Sequence, residues 1–159
     1  MKRILAFVAV ALLSVVGSAA VHAQAVPLVG TWKLNTEKSK FDPGPGPKSL
    51  TRTVVAEGEG VKYTFEGVSA DGKPIAYGFS VTFDGTDHPV SGSMPSGADT
   101  IAGKRTGSHS FEATLKKAGK VVGTSKVEVS KDGKVTTVEA KGTDAAGKPT
   151  HDKQVFDKQ

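Results

Sequence analysis

The sequence contains no cysteine. Disulfide bonds, thiolate metal ligands and a cysteine nucleophile are therefore excluded. Packing and hydrogen bonds alone must hold the fold. The chain is long enough for this, since domains of about 150 residues bury roughly two-thirds of the surface that their unfolded chains expose.

Histidine is scarce. Only His88, His109 and His151 follow residue 23, and they stand 21 and 42 positions apart. Metal sites built from neighbouring residues use short ligand spacings such as H-x3-H, which are missing here. Asp84, Asp87 and His88 cluster beside a turn signal, and we interpret them as a solvated hairpin end. The sequence thus predicts no metal site and no cofactor.

The sequence also lacks the motifs that present catalytic or phosphate-binding groups. No G-x-S-x-G nucleophile elbow occurs. Segments 67–74 and 142–149 match a phosphate-binding loop except at its last position, where Pro74 and Pro149 replace the Ser or Thr that binds magnesium. A strand rather than a helix is expected to follow each segment. The sequence therefore predicts neither nucleotide binding nor an enzyme.

No surface of concentrated charge is evident. The full chain carries a formal charge of +5, and without Lys2 and Arg3 it has 19 basic and 16 acidic residues. Lys116 and Lys117 are the only adjacent lysines. Proteins that bind nucleic acids usually gather basic residues on one face. Scattered lysines instead keep a surface hydrated and protect sheet edges, so no nucleic-acid partner is predicted.

The first 23 residues predict a cleavable secretion signal. Lys2 and Arg3 precede an apolar run over residues 4–16, and Val21-His22-Ala23 fits the small-x-small cleavage pattern. The run is shorter than the roughly 20 residues of a spanning helix. We expect residues 24–159 to form one exported domain without a transmembrane segment, in the periplasm or the medium of a bacterium.

Long stretches free of glycine and proline are absent. After residue 25 the longest covers residues 31–42, which is 12 residues. This leaves little room for helices, which average about 11–12 residues and seldom contain glycine. The spacing is typical of short strands joined by tight turns, and pairs such as Asp71-Gly72 and Asp132-Gly133 favour hairpins.

Alternation of apolar and polar residues identifies the strands. It is clearest in segments 61–67, 74–83 and 109–117. Ten strands are predicted in total, near 28–35, 49–57, 61–67, 74–83, 86–91, 99–105, 109–117, 121–130, 134–142 and 149–157. A meander of this length must close or stack to protect its edges. We predict an all-β fold, an antiparallel up-and-down β-barrel of 8–10 strands, with a two-sheet sandwich as the alternative.

The alternation places a set of apolar side chains on the inner faces of neighbouring strands. In a barrel they either fill the interior or line a cavity for an apolar ligand, and the pattern alone leaves both readings open. The candidate ligand-binding residues are Tyr63, Phe65, Tyr77, Phe79, Val81 and Phe111.

At Gly30-Thr31-Trp32-Lys33-Leu34 the chain resembles the calycins, the superfamily of lipocalins and fatty-acid-binding proteins. The resemblance implies that Gly30 and Trp32 close one end of a barrel. Val155-Phe156-Asp157-Lys158 is similar to the last strand of fatty-acid-binding proteins. In those proteins an Arg-x-Tyr pair holds the ligand carboxylate, and here Gln154 and Phe156 stand instead.

The chain differs from these families in two further features, the first loop and the positions of the arginines. A Pro-Gly connector within residues 35–48 replaces the two helices of fatty-acid-binding proteins. Lipocalins pack an arginine from the last strand on the tryptophan, whereas Arg52 and Arg105 lie elsewhere. The chain is more similar to exported bacterial lipocalin-like proteins, with G-T-W-K-L-N at 30–35.

Two functions are consistent with this sequence. The first is an exported, non-catalytic protein that binds a small apolar or amphipathic molecule inside the barrel. The second is an envelope or protein-interaction module that uses loops 36–48 and 91–98 around a solidly packed barrel. The sequence does not specify an oligomeric state.

Overall fold

The structure is a computed structural model that describes residues 26–159. The predicted signal segment 1–23 and its cleavage site lie outside the described residues. Within residues 26–159, no helix is long and apolar enough to cross a membrane.

Ten strands make up the described chain, and each overlaps one of the ten predicted strands. Their bounds are β1 Gly30–Leu34, β2 Ser49–Glu57, β3 Gly60–Val68, β4 Pro74–Val81, β5 Asp84–Gly92, β6 Thr100–Arg105, β7 Ser110–Lys117, β8 Lys120–Val129, β9 Val135–Thr143 and β10 Pro149–Lys158.

The strands form one closed antiparallel barrel in which every strand pairs with its neighbours in sequence, and β1 pairs with β10. This confirms the predicted up-and-down barrel and excludes the sandwich. Closure satisfies the backbone groups that an open meander would leave exposed at its edges. The seam between β4 and β5 is short, with three residue pairs between segments 77–79 and 90–92.

The turn between β4 and β5 differs from the sequence prediction. Asp84-Gly85 reads as a turn in the sequence, but the turn falls at residues 82–83 and Asp84 opens β5. The register of β5 against β6 shifts between Asp84 and Asp87, and Gly85 has φ of 86°. The positive φ that makes Asp-Gly a turn signal also suits a β-bulge, which is its use here.

The up-and-down order gives the barrel two unlike ends. At one end lie the start of β1 and the β2–β3, β4–β5, β6–β7 and β8–β9 turns; we call this the closed end. At the other lie connector 35–48 and the loops after β3, β5, β7 and β9; we call this the mouth. Both long segments that interrupt the strand rhythm, 36–48 and 91–98, therefore border the mouth.

Trp32 lies at the closed end and is fully buried. Its indole Nε1 donates a hydrogen bond of 2.7 Å to the carbonyl of Leu28, so the chain before β1 folds across the barrel bottom. Gly30 has φ of 137°, and a Cβ there would lie 2.7 Å from Cε of Lys158. The absence of a side chain at Gly30 lets Lys158 cross it and place Nζ 5.1 Å from the Trp32 ring centroid.

Connector 35–48 does more than join two strands. Lys40 forms an isolated antiparallel bridge with Lys153, and the amide of His151 donates to the carbonyl of Asp42. The connector thus continues the edge pairing of β10 beyond the end of the short strand β1. This explains how a first strand of five residues can close a barrel whose last strand has ten.

Candidate functional site

The barrel interior holds a cavity of about 250 Å³ between the closed end and the mouth. Ten strands give a wider barrel than the eight that side chains just fill, because barrel diameter grows with strand number. Inward-facing side chains of ordinary size therefore leave free volume. The volume lies just below the usual range of about 300–1,000 Å³ for ligand pockets, which favours a small or narrow ligand.

Aromatic side chains of β3 and β4 form one wall of the cavity. The rings of Phe65 and Tyr77 stack with centroids 4.5 Å apart, and those of Tyr63 and Phe79 lie 4.8 Å apart. These pairs arise because β3 and β4 register Tyr63 against Phe79 and Phe65 against Tyr77. The four rings are defined here as the aromatic wall. Contacts between them fix each ring and present an apolar, polarisable surface to the lumen.

Small residues occupy six inward positions of β6 to β9 on the cavity, beside larger side chains such as Phe111 and Leu115. A Cβ at Gly142 would meet the carbonyl oxygen of Val122 at 2.4 Å, so this position admits no larger residue without backbone movement. We call this set the small-residue wall, and its lack of bulk is what leaves the cavity open. Its members are Gly103, Ala113, Gly123, Ser125, Ala140 and Gly142.

Arg52 lies on the cavity boundary and is only 3% exposed. It faces inward from β2 opposite Trp32 of β1 and Phe65 of β3. Its Cζ is 4.5 Å from the Phe156 ring centroid and 5.4 Å from that of Trp32. The guanidinium thus separates the packed closed end from the cavity.

Two of the three guanidinium nitrogens of Arg52 lack hydrogen-bond partners in the described chain. Nε and Nη2 are buried, and neither has a partner within residues 26–159. Burial lowers the pKa of Arg52 to about 10, while the nearby Tyr63 and Tyr77 act in the opposite direction. Arg52 therefore still carries its charge at neutral pH.

The same apolar surroundings act on the tyrosines of the aromatic wall. Burial raises the pKa of Tyr63 to about 12, and the positive charge of Arg52 partly opposes this. Burial likewise raises the pKa of Tyr77. Both hydroxyls stay protonated at neutral pH and offer polar atoms without charge to a molecule in the lumen.

Other polar groups flank the lumen at two depths. Thr136 of β9 is fully buried near the closed end, and its hydroxyl has no hydrogen-bond partner within the described chain. Asp152 and Gln154 of β10 line the cavity at inward positions. The pKa of Asp152 is raised by desolvation, although its carboxylate accepts a hydrogen bond of 3.3 Å from the amide of Asp42.

All the residues assigned from the sequence to ligand binding line this one cavity, whereas Gly30 and Trp32 lie at the closed end. Phe83, which the alternation placed on β4, lies in the following turn, where its ring centroid is 4.8 Å from that of Phe111. The six cavity-lining residues are Tyr63, Phe65, Tyr77, Phe79, Val81 and Phe111.

The inward position of Arg52 was not predicted from the sequence. A signal was available, because Leu50, Arg52 and Val54 alternate with Thr51 and Thr53, and an inward face for Leu50 and Val54 requires one for Arg52. An arginine is rarely buried without a partner, so the residue type itself argued against an inward-facing side chain at position 52. The tryptophan partner that lipocalins take from the last strand comes here from β2, with Lys158 of the last strand also over the ring.

The side chains of Asp84, Asp87 and His88 bond to neighbouring residues rather than to one another, and Asp84 and His88 share the hydroxyl of Thr82. Asp84 accepts hydrogen bonds from Thr82 and Thr86, and Asp87 forms an ion pair of 2.7 Å with Lys116. The His88 ring bonds the hydroxyl of Thr82 at 2.8 Å. The three side chains therefore stabilise the β4–β5 turn and the adjoining strands.

A second depression, of about 440 Å³, lies along strands β3 to β5. It is lined largely by outward-facing residues of those strands, among them Thr64, Gly78 and Ser80. The depression includes no buried charged group. The lumen is the smaller space, but it combines enclosure, aromatic surface and a buried cation, and so it is the stronger candidate site.

No protein-family model matches the sequence, and no curated protein matches it. Among solved structures, the chain is similar to zebrafish ileal bile acid-binding protein complexed with cholic acid, with 12% identity and a TM-score of 0.49. That match covers 84% of this chain and 99% of the other. A redesigned β-barrel, mFAP1, bound to DFHBI, has 11% identity and a TM-score of 0.49, with 86% and 99% covered. The related mFAP0 has 13% identity and a TM-score of 0.42, with 83% and 99% covered.

Proposed function

We propose that this protein is an exported, non-catalytic binding protein that holds a small amphipathic molecule in the barrel lumen. The observation that carries the proposal is the cavity itself, which lies between the aromatic wall and the small-residue wall. A barrel built only for stability would place larger side chains at positions such as Ala113 and Ala140. An apolar lumen with a few polar groups is the usual composition of a ligand site.

The mouth supplies the entry route in this proposal. Met94, Pro95 and Ser96 of the β5–β6 loop line the cavity, and so does Asp144 directly after β9. Met94 is buried against the lumen even though it belongs to a loop. Methionine is unbranched and adapts its shape easily, which suits a residue at the entrance of a binding site.

A neutral fluorescent probe tests the proposal. N-phenyl-1-naphthylamine fluoresces strongly in apolar surroundings, and we expect saturable one-to-one binding to the chain comprising residues 24–159. Ala140→Leu places three extra carbon atoms into the cavity and should abolish this binding. Ala76→Leu is the matched control, because Ala76 is an exposed residue on the outer face of β4.

Two results would count against luminal binding. The first is the absence of any probe binding to the wild-type protein. The second is equal loss of binding in the Ala140→Leu and Ala76→Leu variants, which would point to the outer surface. Native mass spectrometry of protein purified from its own organism would in addition identify the class of a co-purified molecule. The export part of the proposal is tested separately, by locating the cleaved chain in cell fractions.

A further inference from the structure

Arg52 is a buried cation without a counter-ion. Within residues 26–159 the structure has three ion pairs, which join Lys38 to Asp157, Lys73 to Asp71 and Lys116 to Asp87. None of them includes Arg52. A buried charge normally requires a partner, because removing it from water costs more free energy than apolar packing returns.

The acidic residues on the cavity do not meet this requirement. Glu112, Asp144 and Asp152 line it, and none is within ion-pair distance of Arg52. Around the guanidinium itself lie the rings of Trp32 and Phe156 and, at 6.0 Å, that of Tyr63. Ring faces attract a cation but leave its N–H groups without acceptors.

We infer that the ligand of the lumen carries an anionic group, specifically a carboxylate, which pairs with Arg52 at the inner end of the cavity. The inference rests on the proposed function and specifies the chemical class of the bound molecule. The apolar part of the ligand then lies along the aromatic wall and points towards the mouth. The charged end is innermost, next to the packed closed end.

The guanidinium geometry suits a carboxylate. Nε and Nη2, the two nitrogens without partners, lie on the same edge of the guanidinium plane. That edge presents two parallel N–H groups, which match the two oxygens of a carboxylate in a bidentate pair. The edge itself is buried, while Arg52 lines the cavity. The inferred pairing therefore requires the guanidinium to turn this edge towards the lumen when the ligand binds.

A purely structural role for Arg52 leads to a different expectation. In that role, stacking on Trp32 and Phe156 would be the whole reason for the residue, and the lumen would not distinguish charged from neutral ligands. The two roles are therefore separated by head-group preference rather than by stability.

Octanoate and 1-octanol provide the comparison, since they have the same chain length and differ in the charged end. Trp32 is the only tryptophan of the chain, and its ring lies 5.4 Å from Cζ of Arg52, so its emission reports events at this end of the cavity. We expect the wild-type protein to bind octanoate at least about tenfold more tightly than 1-octanol, because hydrogen bonds to charged groups are strong when buried. Calorimetry gives the affinities, and octanoate should also change the Trp32 emission.

Three variants localise the preference. In Arg52→Met the ratio of octanoate to octanol affinity should fall to within about twofold. Arg52→Lys keeps the positive charge but not the two parallel N–H groups of the guanidinium. It should therefore retain part of the preference for octanoate. Arg105→Met is the matched control: it is the only other arginine after residue 23, and its side chain bonds the carbonyls of Gly107 and Ser108 near the closed end.

The outcomes separate the inference from the proposed function. If wild-type protein binds both compounds equally, luminal binding stands and the anionic class is wrong. If it binds neither, luminal binding of such molecules is itself wrong. Loss of preference in Arg105→Met as large as in Arg52→Met would indicate a general charge effect and overturn the inference. Acetate that binds as tightly as octanoate would also overturn it, because a bare anion would then suffice. Circular dichroism of each variant establishes that it is folded.

Discussion

The closed end and the cavity half of the lumen are built from the same strands but are packed in opposite ways. At the closed end Trp32, Val54, Val61 and Phe156 are 0–1% exposed. In the cavity half, large rings on β3 and β4 face strands β6 to β9 across free space, and six inward positions of those strands carry only Gly, Ala or Ser. Side-chain size at inward positions, rather than the path of the backbone, therefore decides where this barrel is solid and where it is hollow. Arg52 lies at the boundary between the two regions.

The largest effect is expected from emptying the solid region. Trp32→Ala should lower the free energy of unfolding by about 3–5 kcal/mol, because it removes a fully buried ring and the hydrogen bond to Leu28. Denaturant unfolding followed by circular dichroism measures the loss. Val55→Ala is the control, since Val55 is 48% exposed and should change stability by less than about 0.5 kcal/mol. A loss below about 1 kcal/mol in Trp32→Ala would mean that the closed end does not depend on the ring.

The protonation of the aromatic wall offers the second test. Tyr63 and Tyr77 are the only tyrosines of the chain, so ultraviolet absorbance reports them alone. Since burial raises the pKa of Tyr63 from 10.0 to about 12, the folded protein should show no tyrosinate step near pH 10, whereas the unfolded protein should. A step of full amplitude near pH 10 in the folded protein would show that the wall is solvated.

The raised pKa of Tyr63 also makes the free energy of unfolding depend on pH. The contribution, roughly 2–3 kcal/mol, is fully present below pH 10 and is lost as the pH rises from 10 towards 12. Arg52 acts in the opposite sense over this range, because burial lowers its pKa to about 10. Absorbance is therefore the cleaner measurement.

Replacing Arg52, which lies between the closed end and the cavity, with an apolar residue should stabilise the ligand-free protein. Arg52→Met removes a buried cation with two unpartnered nitrogens, and a buried polar group that is left unsatisfied costs about 1–3 kcal/mol. Loss of the contacts with Trp32 and Phe156 offsets part of this gain. We expect a net increase of about 1–3 kcal/mol in the free energy of unfolding, measured in urea without added ligand. A net loss would show that the stacked guanidinium is a structural element first.

The smallest stability effect is expected from filling the hollow region. Ala140→Leu adds bulk at an inward position that faces free volume, so the stability should change by less than about 1 kcal/mol while probe binding disappears. The same kind of enlargement in a packed core usually costs about 1–3 kcal/mol. Val61→Leu at the closed end provides that comparison, because Val61 is 1% exposed. Equal losses of unfolding free energy in Ala140→Leu and Val61→Leu would show that the cavity half is packed as tightly as the closed end.

Much of the fold could be predicted because its signals are local. The alternation of Val61, Tyr63 and Phe65 with polar residues, and turn pairs such as Asp132-Gly133, specify strand and hairpin through neighbouring residues alone. Ten strands with short connections then predict a meander, and the pairing of β1 with β10 decides between a closed barrel and a two-sheet sandwich. The inner face of β3 and β4, and hence the aromatic wall, follows from the same period of two.

The boundary between the solid and hollow regions could not be predicted in this way. Arg52, Trp32 and Phe156 meet only because β1 pairs with both β2 and β10 when the barrel closes. Free volume is likewise a difference between the space that the whole barrel encloses and the side chains that share it. The sequence by itself determined the strands, their inward faces and the order of the barrel, since these depend on local geometry. The buried position of Arg52 and the cavity beside it were decided only by tertiary structure, because they depend on distances between residues that are far apart in the chain.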